Sequence, residues 1–343
     1  MIKLPENLPA FASVIRDEAI HMLCSCEYGF PPQQPKTVTF TEESMRENYA
    51  AGKAVLYRIN AVVKENDKEF SFPFWFTVPK SSSPVPAVVY INFRGSNPDD
   101  YLPSEEVLDL GMAFAMFDYQ TVSPDNDDFE SLAGGFLGID RSEPYAPGKI
   151  AIWAWAARIV MDFIASRPEI DQNNVAVAGH SRLGKTALFA GLFDSRFKFA
   201  YSNDSGCSGA ALFRGKEGET AELIHKQFPY WFCPNFEKYA AGKEELPFDQ
   251  HFLLSLIAPR YLYVCSAIED TWADPQAELA SCVAATPAYE ALGLTGLVGE
   301  PENSFAGLTL HEGHIGYHCR FGTHFHSRED WQKFIAYVKA HLN

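Results

Sequence analysis

Short apolar runs alternate with helix-length amphipathic stretches along most of this 343-residue chain, and that alternation restricts its folds more than any other feature. AVVYINF (87–93), AFAMFDY (113–119), VAVAG (175–179), FKFAYSN (197–203) and RYLYVCSA (260–267) are continuous enough to be strands, several of them buried on both faces. Residues 148–166, 184–194, 251–259 and 275–292 read as helices, the last at least as far as Pro287. The order implies an α/β fold: a mostly parallel sheet flanked by helices on both faces. AVLYRINAVV (54–63) and FSFPFWFTV (70–78), separated by the turn-like KENDKE, read as an antiparallel pair at the N-terminal edge. Residues 1–50 are polar and read as irregular, ahead of a single core domain over 54–343. The last helix opens at Ser327, where Ser-Arg-Glu-Asp330 resembles a capping box and Trp331, Phe334, Val338 and Leu342 share one face.

The formal net charge is −16, which argues against nucleic acid or an anionic membrane as a main partner, since both require a basic footprint. No stretch approaches the roughly 18–20 apolar residues of a membrane span. The seven cysteines are scattered and odd in number, as expected of free thiols in a reducing compartment. MIKLPENLPAF lacks a charged leader followed by an apolar run, which predicts a cytoplasmic chain; one trimmed of a leader would read the same.

GHSRLGKT (179–186) satisfies two unrelated patterns. Gly179 followed by Gly184-Lys185-Thr186 spells a phosphate-binding P-loop, and Gly179-His180-Ser181 is most of a nucleophile elbow. Both need a strand, a tight turn and a helix. The intervening His, Ser, Arg and Leu are bulky for a phosphate cradle, and several strands precede the motif, whereas a P-loop follows an early one. An esterase further requires an acid and then a histidine downstream of its serine. The strand RYLYVCSA runs into IEDTWADP, which offers Glu269, Asp270 and Asp274, and HEGHIGYHCRFGTHFH (311–326) offers histidines in a loop before the final helix. The elbow is favoured on these grounds. It departs from the usual pattern, because Leu183 stands where glycine is normal and Gly184 comes one residue later. A zinc cluster of His311, His314 and His318 is disfavoured, because HEGH lacks the HExxH spacing.

GHSRLGKTALFAGLFDSRF, SNDSGCSGAALFR, FPYWFCPNF, LPFDQHFLLSLIAPR, EDTWADP and GYHCRFGTHFHSREDW together resemble the glucuronoyl esterases of carbohydrate esterase family 15, especially the bacterial branch, over about residues 80–343. The resemblance implies an α/β-hydrolase fold and hydrolysis of esters on the carboxylate of (4-O-methyl-)glucuronic acid, which in plant cell walls join xylan side chains to lignin alcohols. It implies an ester of small-molecule or oligosaccharide size as partner, and neither cofactor nor metal. Ser181 becomes the nucleophile, His324 the base ahead of His326 and His318, and Arg182 an oxyanion donor through its backbone N–H and its side chain. Asp270 is favoured as the acid. Asp204, where other members place a glutamate, is the alternative. Lys185 and Trp272 match positions that bind uronate hydroxyls. Glu219 and Gln227 fall near two further sugar-contacting positions, where fungal members carry Gln and Glu, so the residue types are exchanged. An acetyl esterase acting on xylan oligosaccharides is the alternative from the same chemistry, and a P-loop nucleotide-binding protein the remote one.

Overall fold

A computed structural model describes residues 2–11, 15–299 and 305–342. Ten strands among them form one sheet: β1 Val38–Tyr49, β2 Ala54–Glu65, β3 Lys68–Pro79, β4 Val85–Asn92, β5 Ala113–Asp118, β6 Ile170–His180, β7 Phe197–Asn203, β8 Tyr261–Ala267, β9 Thr309–Leu310 and β10 Ile315–Arg320. The spatial order is β1-β2-β3-β5-β4-β6-β7-β8-β10-β9. The run from β5 to β10 is parallel, β1 to β3 join antiparallel at one side, and β9 closes the other side antiparallel. This is the mostly parallel sheet that the alternation implies.

Burial on both faces explains the apolar runs. Along β4, Ala87, Val89 and Ile91 enter one core with the helices Lys149–Ala165, Arg182–Phe193 and Pro275–Glu290. Val88 and Tyr90 enter the opposite core with Trp331, Phe334 and Val338 of the helix Arg328–Ala340. The hairpin between β2 and β3 turns on Asn66 and Asp67, both at positive φ, which short polar side chains tolerate best after glycine. The capping box forms: Ser327 accepts from the Asp330 N–H, and Asp330 accepts from the Ser327 N–H at 2.7 Å. No helix among the described residues is long and apolar enough to cross a membrane.

Three expectations are corrected. Residues 1–50 are not irregular: they hold the helix Arg16–Leu23, a π-helical turn Cys24–Tyr28 and the twelve-residue β1. β1 is an edge strand with mostly exposed side chains, so its backbone pairing with β2 leaves little apolar signature. The helix expected over 251–259 stops at Ser255. The histidine-bearing segment 311–326 is not all loop, because Ile315–Arg320 is the fully buried strand β10, paired to β8. Its IGYHCR sequence hides a strand because His318 and Arg320 are buried only by virtue of specific partners.

Candidate active site

β6 ends at His180, and the chain turns at Ser181 into the helix Arg182–Phe193. Ser181 has φ 58° and ψ −127°, a conformation that a non-glycine residue adopts only when its surroundings force it. The forcing contacts are visible. The Ser181 N–H donates to the Asn203 carbonyl of β7 at 2.8 Å, and its own carbonyl accepts from the Gly184 N–H at 2.9 Å. A Cβ on Gly179 would lie 2.1 Å from the Leu183 carbonyl oxygen, so only glycine allows the turn. A Cβ on Gly184 would come within 3.0 Å of Ser202 and Ser205. The glycine displaced by one residue therefore serves the close approach of helix to β7, while Leu183 is fully buried. The Ser181 side chain is half-buried at the sheet's C-terminal edge and caps no amide of the helix it opens. As the helix's first residue, Arg182 has an N–H without an intrahelical acceptor.

His324 arrives from the far end of the chain. Its Nδ1 is 2.6 Å from Asp270 Oδ2, and its ring centroid lies 4.4 Å from that of His180, the residue before Ser181. Its side chain is 44% exposed, so the imidazole borders solvent. Asp270 sits just beyond β8, with Oδ1 accepting from the Ala273 N–H at 3.2 Å. Asp204 follows β7, and one oxygen each of Asp204 and Asp270 lies within 4.8 Å of the other and of a His324 nitrogen. Yet among the described residues Asp204 makes no hydrogen bond to a histidine. Its Oδ2 is 3.4 Å from Arg320 Nη2, and its buried Oδ1 has no partner among the described residues. Burial, with Glu278 and Asp330 nearby, holds its carboxyl well above the usual range. Glu269 is exposed and Asp274 caps the next helix by accepting from the Ala277 N–H.

The other two candidates for the base are structural. His326 is fully buried with its nitrogens 3.0 Å from the hydroxyls of Tyr90 and Tyr201, and burial pushes its pKa down to about 3. His318 is bonded through Nε2 to Asp330 at 2.9 Å and through Nδ1 to Tyr263 at 2.8 Å. His311 also bonds Tyr263, and His314 lies against the Thr295 carbonyl, so these three histidines do not converge on one point. Arg320 ties the region together. Its Nε donates to both oxygens of Asp330 at 2.9 Å, and its terminal nitrogens donate to the carbonyls of Phe321, Thr323 and Phe325 on either side of His324.

Arg182 is held by an aspartate that sequence reasoning missed. Asp125 Oδ2 accepts from the Arg182 guanidinium and from the Tyr119 hydroxyl, while Oδ1 accepts from Trp231 Nε1 at 2.7 Å. The guanidinium carbon stands 4.7 Å from the Trp231 ring centroid, and Phe228 stacks on that indole at 3.9 Å. Asp125 lies in SPDNDDFE, among several carboxylates of which nothing in the sequence singles it out.

The expected sugar contacts are only partly assembled. Trp272 is 53% exposed on the loop after Asp270, and its carbonyl accepts from the Glu219 N–H at 3.0 Å. Lys216 and Glu217 bind the same loop through the Ala273 carbonyl and Asp274. Lys185 is 3% exposed, with its ammonium on the Ser205 carbonyl. Gln227 stands exposed at the end of the helix Ala221–Gln227, and no hydrogen bond among the described residues joins it to the other three. The placement of Lys185 also removes the P-loop alternative: a lysine buried against a carbonyl, behind a serine in a strained turn, leaves no open ring of amides for phosphate.

A profile described as "Glucuronyl esterase, fungi" matches residues 61–293. The chain belongs to the glucuronoyl esterase family. It is 44% identical over 197 residues to a carbohydrate esterase of an unknown prokaryotic organism, covering 57% of this chain and 45% of that protein. It is 30% identical to the 4-O-methyl-glucuronoyl methylesterase of Hypocrea jecorina, covering 80% of this chain and 56% of that one. The chain thus spans about half the length of these curated relatives. The glucuronoyl esterase structure from Solibacter usitatus superposes over 99% of both chains with a TM-score of 0.88 at 26% identity. Family and fold together make this the α/β-hydrolase architecture.

Proposed function

We propose that the chain is a serine esterase that cleaves esters of (4-O-methyl-)glucuronic acid by way of an acyl-enzyme on Ser181. The observation that carries the reading is a half-exposed imidazole, bonded to Asp270 at 2.6 Å, lying against the residue that precedes a strained serine. In this mechanism His324 Nε2 takes the Ser181 proton as Oγ attacks the ester carbonyl, then returns it to the leaving alcohol. Water repeats the sequence to free the uronic acid. Asp270 fixes the Nδ1–H tautomer of His324 and faces the positive charge that forms on the ring. The Arg182 N–H, with the guanidinium clamped beside it by Asp125, receives the oxyanion; removing one such donor typically costs about 3–4 kcal/mol. Trp272 and Glu219, joined across two loops, would flank the sugar, with Lys185 behind them.

The substrate class follows from the Hypocrea jecorina relative, named for methyl esters of 4-O-methylglucuronate. Lys185 buried and Gln227 apart favour keeping a second reading, an acetyl esterase on xylan oligosaccharides. A 28%-identical enzyme from a marine bacterial metagenome is itself described as promiscuous. Parallel assays with benzyl glucuronate and p-nitrophenyl acetate decide between them. A higher kcat/KM on the glucuronate ester is expected; a clear preference for acetate would transfer the assignment to deacetylation.

A further inference from the structure

The residue between Gly179 and the nucleophile has no part in the mechanism so far. His180 is 1% exposed, and its ring lies against that of His324 with the planes inclined at 42°. Its Nδ1 is 2.5 Å from Asn203 Oδ1. The Asn203 amide nitrogen is committed to Cys265 Sγ, so the amide oxygen is the atom facing the imidazole. Nδ1 of His180 therefore carries the proton and Nε2 the lone pair. That Nε2 is buried and has no hydrogen-bond partner among the described residues.

We propose that His180 is a positioning residue for the catalytic base: its neutral ring holds the His324 imidazole where Asp270 and Ser181 both reach it, and offers a π face to the charge that forms there. The inference rests on the reading of His324 as the base. His180 exchanges no proton; the Ser181 proton passes to His324 Nε2 and on to the leaving oxygen. An aromatic face close to a cation is attractive, and more so where water is excluded. A second imidazole that could itself become charged would instead repel the imidazolium. His180 avoids this because Nδ1–H is tied to Asn203 and Nε2 is sealed from solvent. Burial, aided by His324 and His326, keeps its pKa well below the ordinary histidine value, against the opposing pull of Asn203 and Asp330. From the loop after β4, Tyr101 contacts the ring at 5.1 Å, with the Arg94 guanidinium 4.7 Å from that tyrosine's ring centroid. From the final loop, His326 stacks at 6.0 Å.

The test compares two variants of the full chain on benzyl glucuronate between pH 5 and 9. His180→Leu keeps bulk and removes the π face; His180→Phe keeps the face and removes both nitrogens. For His180→Leu, kcat is expected to fall about tenfold with KM changed less than threefold, and the acid limb of kcat/KM to move about half a unit to lower pH, because the imidazolium loses a stabilising neighbour. His180→Phe should recover most of kcat and return the limb. Equal losses in both variants with the limb unmoved, or no loss in either, would overturn the proposal. Should His180→Leu fail to fold, nitrogen-15 NMR of the unaltered enzyme decides. A neutral Nδ1–H tautomer at His180 throughout pH 5 to 9 supports the proposal, and a doubly protonated His180 refutes it. If the unaltered enzyme cleaves no glucuronate ester, the proposed substrate is what fails, and the NMR result still judges His180.

Discussion

Two histidine–aspartate pairs have their histidines only six residues apart, and they differ in what the second imidazole nitrogen meets. His324 and Asp270 are 2.6 Å apart, His318 and Asp330 2.9 Å. The hydrogen bond is nearly the same in both; the remaining nitrogen is not. His318 spends its Nδ1 on Tyr263 and is fully buried, and its aspartate already faces Arg320. His324 has no hydrogen-bond partner on Nε2 among the described residues, borders solvent and packs beside His180, the residue before Ser181. A carboxylate behind an imidazole is therefore no mark of catalysis by itself. What matters is whether the second nitrogen has been left uncommitted.

The contrast is broken most severely at the open pair. His324→Ala should lower kcat on a glucuronate ester by about 10⁴-fold or more with the melting temperature nearly unchanged, a loss typical of removing a triad base. Next comes its aspartate. Asp270→Asn should cost about 10³–10⁴ in kcat through the wrong tautomer, whereas Asp204→Asn should stay within about tenfold. The opposite ranking, measured side by side, would make Asp204 the acid.

At the sealed pair the expected loss is of folding. Asp330→Asn leaves the buried Arg320 without its counter-charge and should destabilise by about 3–5 kcal/mol in denaturant titrations, with kcat per folded molecule changed less. Asp330 is held well below the ordinary carboxylate range by His318 and Arg320 despite its burial. Its contribution is therefore present above the unfolded value near 3.9 and disappears as pH falls further, so the gap between variant and parent should narrow in acid.

The smallest effect sharpens what a cation does for a buried carboxylate. Glu27, which accepts from Gln250 and has no ion-pair partner among the described residues, is pushed up to about 8 by burial against the weaker pull of Lys185, and Glu278 to about 7. Unfolded glutamates release their protons near pH 4.3, so the stability these two supply is full below that value and drains away as pH rises through 7 and 8. The melting temperature should decline over that interval by a few degrees, and Glu27→Gln should remove part of the slope.

The same contrast explains what the sequence could reveal. β4 and the 175–179 part of β6 are legible because both faces are buried and nearly every residue is apolar. β1 is not, because an edge strand is stabilised by backbone pairing and its Thr, Glu and Arg side chains face water. β10 is hidden by His318 and Arg320, which a strand core accepts only when Asp330, twelve and ten residues later, is there to meet them. Within the site, Ser181, His324 and Asp270 stand out because chain order and resemblance agree. Asp125 and His180 do not, since each gains its meaning from contacts across the fold: Trp231 lies 106 residues beyond the first, His324 far beyond the second.

Arg320 also has a consequence for how the molecule comes to life. The segment bearing the proposed base is spooled around this one guanidinium, which is moored in turn to the first turn of the last helix. A chain halted short of Ser327 would keep His324 but lack Asp330, leaving Arg320 without the carboxylate that moors it. On the proposed mechanism, the final thirteen-residue helix therefore helps to place the base.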